Sequence, residues 1–169
     1  MLNKRKLVFC IMLAVLAAAL QAVPRILGTA FAFAAILGGF PVYIAAGLNW
    51  ALGIAVYLTA AYITSIINIS EALFFVCTNG IIGLSLGILK NRFGSIYFAP
   101  APSALIVISM LFAVNYLFEI SIFGYSALKT PIVQAFTLFL PLYIYCLIYL
   151  KLAMFADTLL YKYIDLDAH

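Results

Sequence analysis

The chain has 169 residues, 68% of them hydrophobic and only 8% charged, with a mean hydropathy of +1.23. A water-soluble fold must cover its surface with polar groups, so this composition excludes one and requires helices whose outer faces meet lipid. The net charge of +4 is too thinly spread for a nucleic-acid surface and informs on orientation across a bilayer instead.

At ~20 residues per span, the length predicts an all-α, polytopic membrane protein of one domain, with six transmembrane helices in one bundle. The spans are expected at about residues 7–23, 26–47, 51–69, 71–89, 103–123 and 131–151, with an interfacial tail over 152–169. Lys4-Arg5-Lys6 precede the first span. A secretory signal peptide opens the same way, and Ala17-Ala18-Ala19 mimics a cleavage site. The chain that follows is itself a run of spans, which favours a retained first helix. Ala14 and Ala18 form a small-xxx-small pair along it, suited to internal packing or to another subunit. Pro24 and Arg25 end the span.

The second span contains Gly38-Gly39 and Pro41, so a kink or a break is expected there. Asn49-Trp50 makes a tight turn, with the indole at an interface. In the third span Thr59, Thr64, Ser65 and Asn68 gather toward the end. The fourth organises the rest: between Glu71 and Lys90 lie 18 uncharged residues, enough to span as one helix. Gly80, Gly83 and Gly87 share a face of that helix and let another backbone approach. Residues 93–102 read as a loop with Pro100 and Pro102, and Pro131 suits the first turn of the sixth span. Beyond Lys151, Leu152, Phe155, Leu159 and Tyr163 recur near helical spacing while Asp157 and Lys162 interrupt, which predicts a short interfacial helix.

Basic residues orient the bundle. With the N-terminus inside, one side holds Lys4, Arg5, Lys6, Lys90, Arg92, Lys151 and Lys162, seven of the nine Lys and Arg; the other holds Arg25 and Lys129. Both termini are therefore expected in the cytoplasm.

Catalytic chemistry finds little material. Gly83-Leu84-Ser85-Leu86-Gly87 matches the GxSxG pattern of serine hydrolases, but that chemistry needs a strand-to-helix elbow and a histidine. Here the pattern lies within a helix, and the only histidine is His169. There is no phosphate-binding glycine loop and no HExxH zinc motif. Cys10, Cys77 and Cys146 are odd in number and far apart, which fits neither disulfides nor metal ligation. The expectation is a protein that is not an enzyme and that holds no metal and no cofactor.

Polar residues instead collect at the outer ends of the later spans. Ionisable groups within membrane spans are costly and face a bundle interior or a wet cavity. Glu119 lies within an apolar segment with Asn115 one turn earlier on the same face. Glu71, Asn115, Glu119, Lys129 and Gln134 are thus the candidate residues of an outward-opening solute pocket; a plain Glu119–Lys129 pair at the interface is the alternative.

The basic start, Ala14 and Ala18 at an AxxxA position, and the general form of residues 36–92 give the chain its likeness. It resembles the substrate-binding S-components of energy-coupling factor (ECF) transporters, small prokaryotic proteins of six spans with both ends cytoplasmic. The resemblance implies a multi-pass protein of the prokaryotic plasma membrane that binds a vitamin or similar small molecule near the outer ends of its later helices. It also implies that Ala14 and Ala18 contact a transmembrane coupling subunit, and that two separate ATPase subunits supply the energy. The alternative is a non-transporting scaffold similar to the MreD-type proteins of the cell-wall elongation machinery. A small homodimeric exporter fits less well, because six spans already close a pocket.

Overall fold

The computed structural model describes residues 4–118 and 131–166, and among these every regular element is helical. In chain order they are α1 (Lys4–Leu27), a 3-10 turn (Thr29–Phe31), α2 (Ala32–Leu37), α3 (Gly39–Leu48), α4 (Trp50–Ile67), α5 (Ile69–Cys77), α6 (Asn79–Phe93), α7 (Pro100–Phe118) and α8 (Pro131–Leu166). They supply six stretches long and apolar enough to cross a membrane: Lys6–Leu27, Thr29–Leu48, Trp50–Ile67, Ile69–Phe93, Pro100–Leu117 and Ile132–Thr158. This is the architecture of a multi-pass membrane protein, with the number of spans that the composition predicts.

Single residues make the turns. Asn49 and Asn68 are extended, and each caps the helix that follows. The Asn49 Oδ1 accepts from the Ala51 amide at 2.9 Å, and the Asn68 Oδ1 accepts from those of Ser70 and Glu71 at 2.8 and 3.3 Å. Each such bond satisfies a helix-end donor that has no intrahelical partner. Gly94, at φ 63°, closes α6 in the left-handed conformation that glycine adopts without strain.

The second span breaks at Gly38, three residues before Pro41. Pro41 then falls in the first turn of α3, where its missing N–H costs nothing because first-turn amides are unpaired in any helix. The fourth span is also broken, against the expectation of one continuous helix. Thr78 takes φ −126° and ψ −92°, and its hydroxyl donates back to the Phe74 carbonyl at 2.5 Å. The tail differs too. α8 runs unbroken for 36 residues through Pro141 to Leu166, so there is no separate interfacial helix beginning at 152. Nothing between Lys151 and Thr158 breaks a helix, and ~1.5 Å per residue makes α8 ~54 Å long, against ~30 Å of hydrocarbon. Its far part is tied back where Lys90 Nζ meets Asp157 Oδ2 at 3.4 Å and donates to Tyr43 Oη at 2.8 Å.

The core forms two apolar clusters. One joins Cys10, Leu13, Ala14 and Ala17 of α1 to Val42, Ala45, Val56, Tyr57, Ala60 and Phe75. The other joins Tyr43, Ile82 and Leu86 to Val107, Cys146, Tyr149 and Leu150 of α7 and α8. All three cysteines are free and buried. Ala14 and Ala18 are each 1% exposed, because α1 turns this stripe toward α3 and α4. The chain's own helices pack against this stripe, the one that the resemblance gives to a coupling subunit.

Between the two clusters stands the most closely packed pair, α3 and α6. They run parallel, and contacts recur at a constant sequence offset of 44: Ala35 with Asn79, Gly39 with Gly83, Tyr43 with Gly87, Gly47 with Asn91. Each step is four residues, ~6 Å along a helix. A methyl group on Gly83 would run into the Gly39 carbonyl, and one on Gly87 would lie 2.7 Å from the Tyr43 carbonyl oxygen. Backbone cannot step aside as a flexible side chain does. Gly83→Ala and Gly87→Ala are therefore expected to destabilise the protein by ~1–3 kcal/mol, the range for overpacking. Gly47, where an added methyl meets nothing within 4 Å, is the control: Gly47→Ala should melt in detergent at or above the wild-type temperature.

Candidate functional site

Both helix breaks fall at one level inside their spans, Gly38 within Thr29–Leu48 and Thr78 within Ile69–Phe93, and α2 and α5 occupy the stretch between that level and the end where α1 finishes. There α2 and α5 leave between them a cleft of about 520 Å³, lined by Pro24, Ala32, Ala35, Ile36, Ser70, Glu71, Phe74 and Asn79. Its walls are apolar or small, and its polar groups are few and placed by the breaks.

Asn79, the first residue of α6, is 3% exposed. Its Nδ2 donates at 2.9 Å to the carbonyl of Ala35 in the last turn of α2. That carbonyl also receives the Gly38 amide at 3.0 Å. A bond to an acceptor-only carbonyl settles the orientation of the amide, so the Asn79 Oδ1 is left as an acceptor. On the far side of α5, Tyr57 Oη donates at 3.0 Å to Val76, whose carbonyl the fourth-span break leaves open. Free backbone groups are tolerated at membrane depth only where protein or water satisfies them. Each break here has a side chain that does so.

Glu71 sits in the first turn of α5, where the helix dipole favours a carboxylate. Its Oε2 accepts a 3.2 Å bond from Nε2 of Gln21, an α1 residue with no exposed surface. Because a carboxylate only accepts, Gln21 must turn its Oε1 away, toward Gly38 at the second-span break, where it has no partner. A second buried oxygen without a partner, Tyr149 Oη on α8, lies over Gly39 close to the Asn79 carbonyl. Buried polar atoms are seldom left unpaired, and here two flank the same break. Three spans thus bring Gln21, Glu71, Asn79 and Tyr149 toward one place.

Of the candidate residues read from the sequence, Glu71 lines this cleft. Asn115 is half-buried on α7, and Gln134 is half-buried in the first turn of α8. Glu119 and Lys129 lie outside the described residues. Gln21 and Tyr149 were not legible as site residues, being isolated polar groups in apolar runs with no spacing to mark them. Asn79 carried a signal, an amide in the middle of an uncharged span.

A larger groove of about 640 Å³ lies at the opposite end, lined by Ala46, Leu48, Asn49, Trp50, Ile88, Asn91 and Arg92. Its two asparagines are engaged in building the turn: Asn49 caps α4, and the Asn91 Nδ2 donates to the Gly47 carbonyl at 2.5 Å. Among the described residues no cluster of three or more His, Cys, Asp and Glu is placed to hold a metal ion. No family model, curated protein or solved structure matches this chain.

Asn79 and Asn91 make the same bond at the two ends of one seam, which sets up an internal comparison. Asn79→Ala removes a buried hydrogen bond and leaves the Ala35 carbonyl with the Gly38 amide alone, and is expected to cost about 1 kcal/mol. Asn91 is exposed, water replaces its amide, and Asn91→Ala should fall within ~0.5 kcal/mol of wild type. Unfolding of the two variants in the same detergent measures the difference.

Proposed function

We propose that this chain is the solute-binding membrane subunit of an uptake transporter, of the kind the ECF S-components represent. The observation that carries the reading is the cleft at the paired helix breaks. It is a small, mostly apolar cavity with a carboxylate and a buried amide at its base. Transporter sites are commonly built from discontinuous helices, because a break frees polar groups at membrane depth where a solute can use them. Ligand pockets in general combine apolar walls with a few fixed polar groups.

In this reading both termini are cytoplasmic and the cleft faces outward. The support is charge: Lys4, Lys6, Lys90, Arg92 and Lys151 belong to the end opposite the cleft, the side that the positive-inside rule assigns to the cytoplasm. The membrane is then a prokaryotic plasma membrane, and energy comes from partners, a coupling subunit and two ATPase subunits. The coupling subunit docks somewhere other than the Ala14–Ala18 stripe, which is buried.

Native mass spectrometry of protein purified gently from membranes tests this. A small solute should be retained by the wild type and lost from Ile36→Trp, which fills the mouth of the cleft from an exposed position. Retention of protein partners with no solute would favour the MreD-type scaffold. Reporters placed after Gly28 and after His169 should read external and cytoplasmic respectively; the reverse pattern overturns the orientation.

A further inference from the structure

The cleft has a chemical bias that its shape alone does not express. Of its lining residues only Glu71 is ionisable, in the first turn of α5. The other polar groups present acceptors as well. Asn79 spends its Nδ2 on the Ala35 carbonyl and keeps Oδ1. Behind the lining, Gln21 has no exposed surface, gives an Nε2 hydrogen to Glu71 and turns its unpartnered Oε1 toward Gly38. Each amide has one N–H engaged within the protein. Donors left in the lining are few, the Ser70 hydroxyl and the second N–H of Asn79. Around these acceptors stand Pro24, Ala32, Ile36 and Phe74, which suit an apolar body, with an aromatic face available to a cation.

On the reading of the cleft as a solute site, we propose that its solute is a small organic cation. It is an ammonium or other N–H donor on an apolar, ring-sized body, with Glu71 as counter-ion and Asn79 Oδ1 as second acceptor. A carboxylate or phosphate would find no basic partner in the lining and would stand against Glu71. That repulsion favours a cation over an anion of the same body. Gln21 is a positioning residue: its amide fixes the rotamer of Glu71 and excludes a competing donor from behind.

The test uses the full chain purified in detergent and three matched pairs of probes that share a body and differ in charge. These are tryptamine with indole-3-acetate, phenethylamine with phenylacetate, and histamine with imidazole-4-acetate. Thermal stability and native mass spectrometry are read for each. At least one amine should bind about tenfold or more tightly than its carboxylate partner, the scale of a charge-assisted hydrogen bond. Glu71→Gln, which keeps the shape and the Gln21 contact, should erase that preference while leaving the melting temperature of the free protein near wild type. Gln21→Leu should weaken the same amine without reversing the preference. Carboxylates that bind as well as the amines, and that Ile36→Trp displaces, would overturn the cationic assignment and leave the cleft standing as a solute site. No probe bound, together with no solute retained by the purified wild type, would overturn the solute-site reading itself.

Discussion

Everything in this bundle depends on two helices touching backbone to backbone. In a bilayer the hydrophobic effect does not drive helices together, since lipid tails are as apolar as leucine; close packing and interhelical hydrogen bonds do that work. At Gly39 and Gly83 no side chain intervenes, so the α3 and α6 backbones meet at a distance that any Cβ would forbid. The two apolar clusters lie on either side of this contact. α1 and α4 lean on one side of it, α7 and α8 on the other. Asparagines close the α6 row at both ends, each donating to a carbonyl of the second span. The pair is therefore held by contact in the middle and by directional bonds at its limits, which together leave one register.

The same pair explains why the cleft exists. For α3 and α6 to lie this close, the segments before them must part, since α2 and α5 carry side chains of ordinary size. The chain solves this by breaking both spans at one level, at Gly38 and at Thr78. The shorter segments then diverge, and the space between them is the cleft. Its polar base follows from the breaks, because interrupted helices present carbonyls that need donors. Asn79 and Tyr57 donate to two such carbonyls, and Asn79 is itself part of the cleft lining. The close packing on one side of the breaks and the cleft on the other are two results of one constraint.

How much of this was readable in advance depended on whether the signal was local. Composition and apolar run length indicated six spans, and the glycines at 83 and 87 indicated a close helix contact without naming the partner. The break near Gly38–Pro41 was legible because proline and paired glycines act on their own backbone. The break at Thr78 was not: threonine and asparagine interrupt a helix only when a tertiary partner takes the freed groups, here Ala35 and Tyr57 from other spans. Gln21 escaped for a similar reason, since a lone amide in an alanine-rich helix has no meaning until Glu71 is set beside it. The Ala14–Ala18 stripe shows the converse. Its pattern was visible, but a small-residue face says only that something packs closely, and that something is this chain's own α3 and α4.

A contact between bare backbones has one mechanical consequence. Side chains of ordinary length act as a lubricating layer, and helices separated by them shear past one another by small rotamer changes. At Gly39 and Gly83 there is no such layer, and displacement along the axis would drive a carbonyl oxygen into a Cα carbon. The α3–α6 pair is thus a fixed spine. Phe139, Leu142, Tyr143 and Met154, on the α8 side of the second cluster, are long enough to repack as their helix moves. A rearrangement that slides α3 along α6 is therefore closed to this bundle, and helices that meet the spine through side chains keep the only shear allowed.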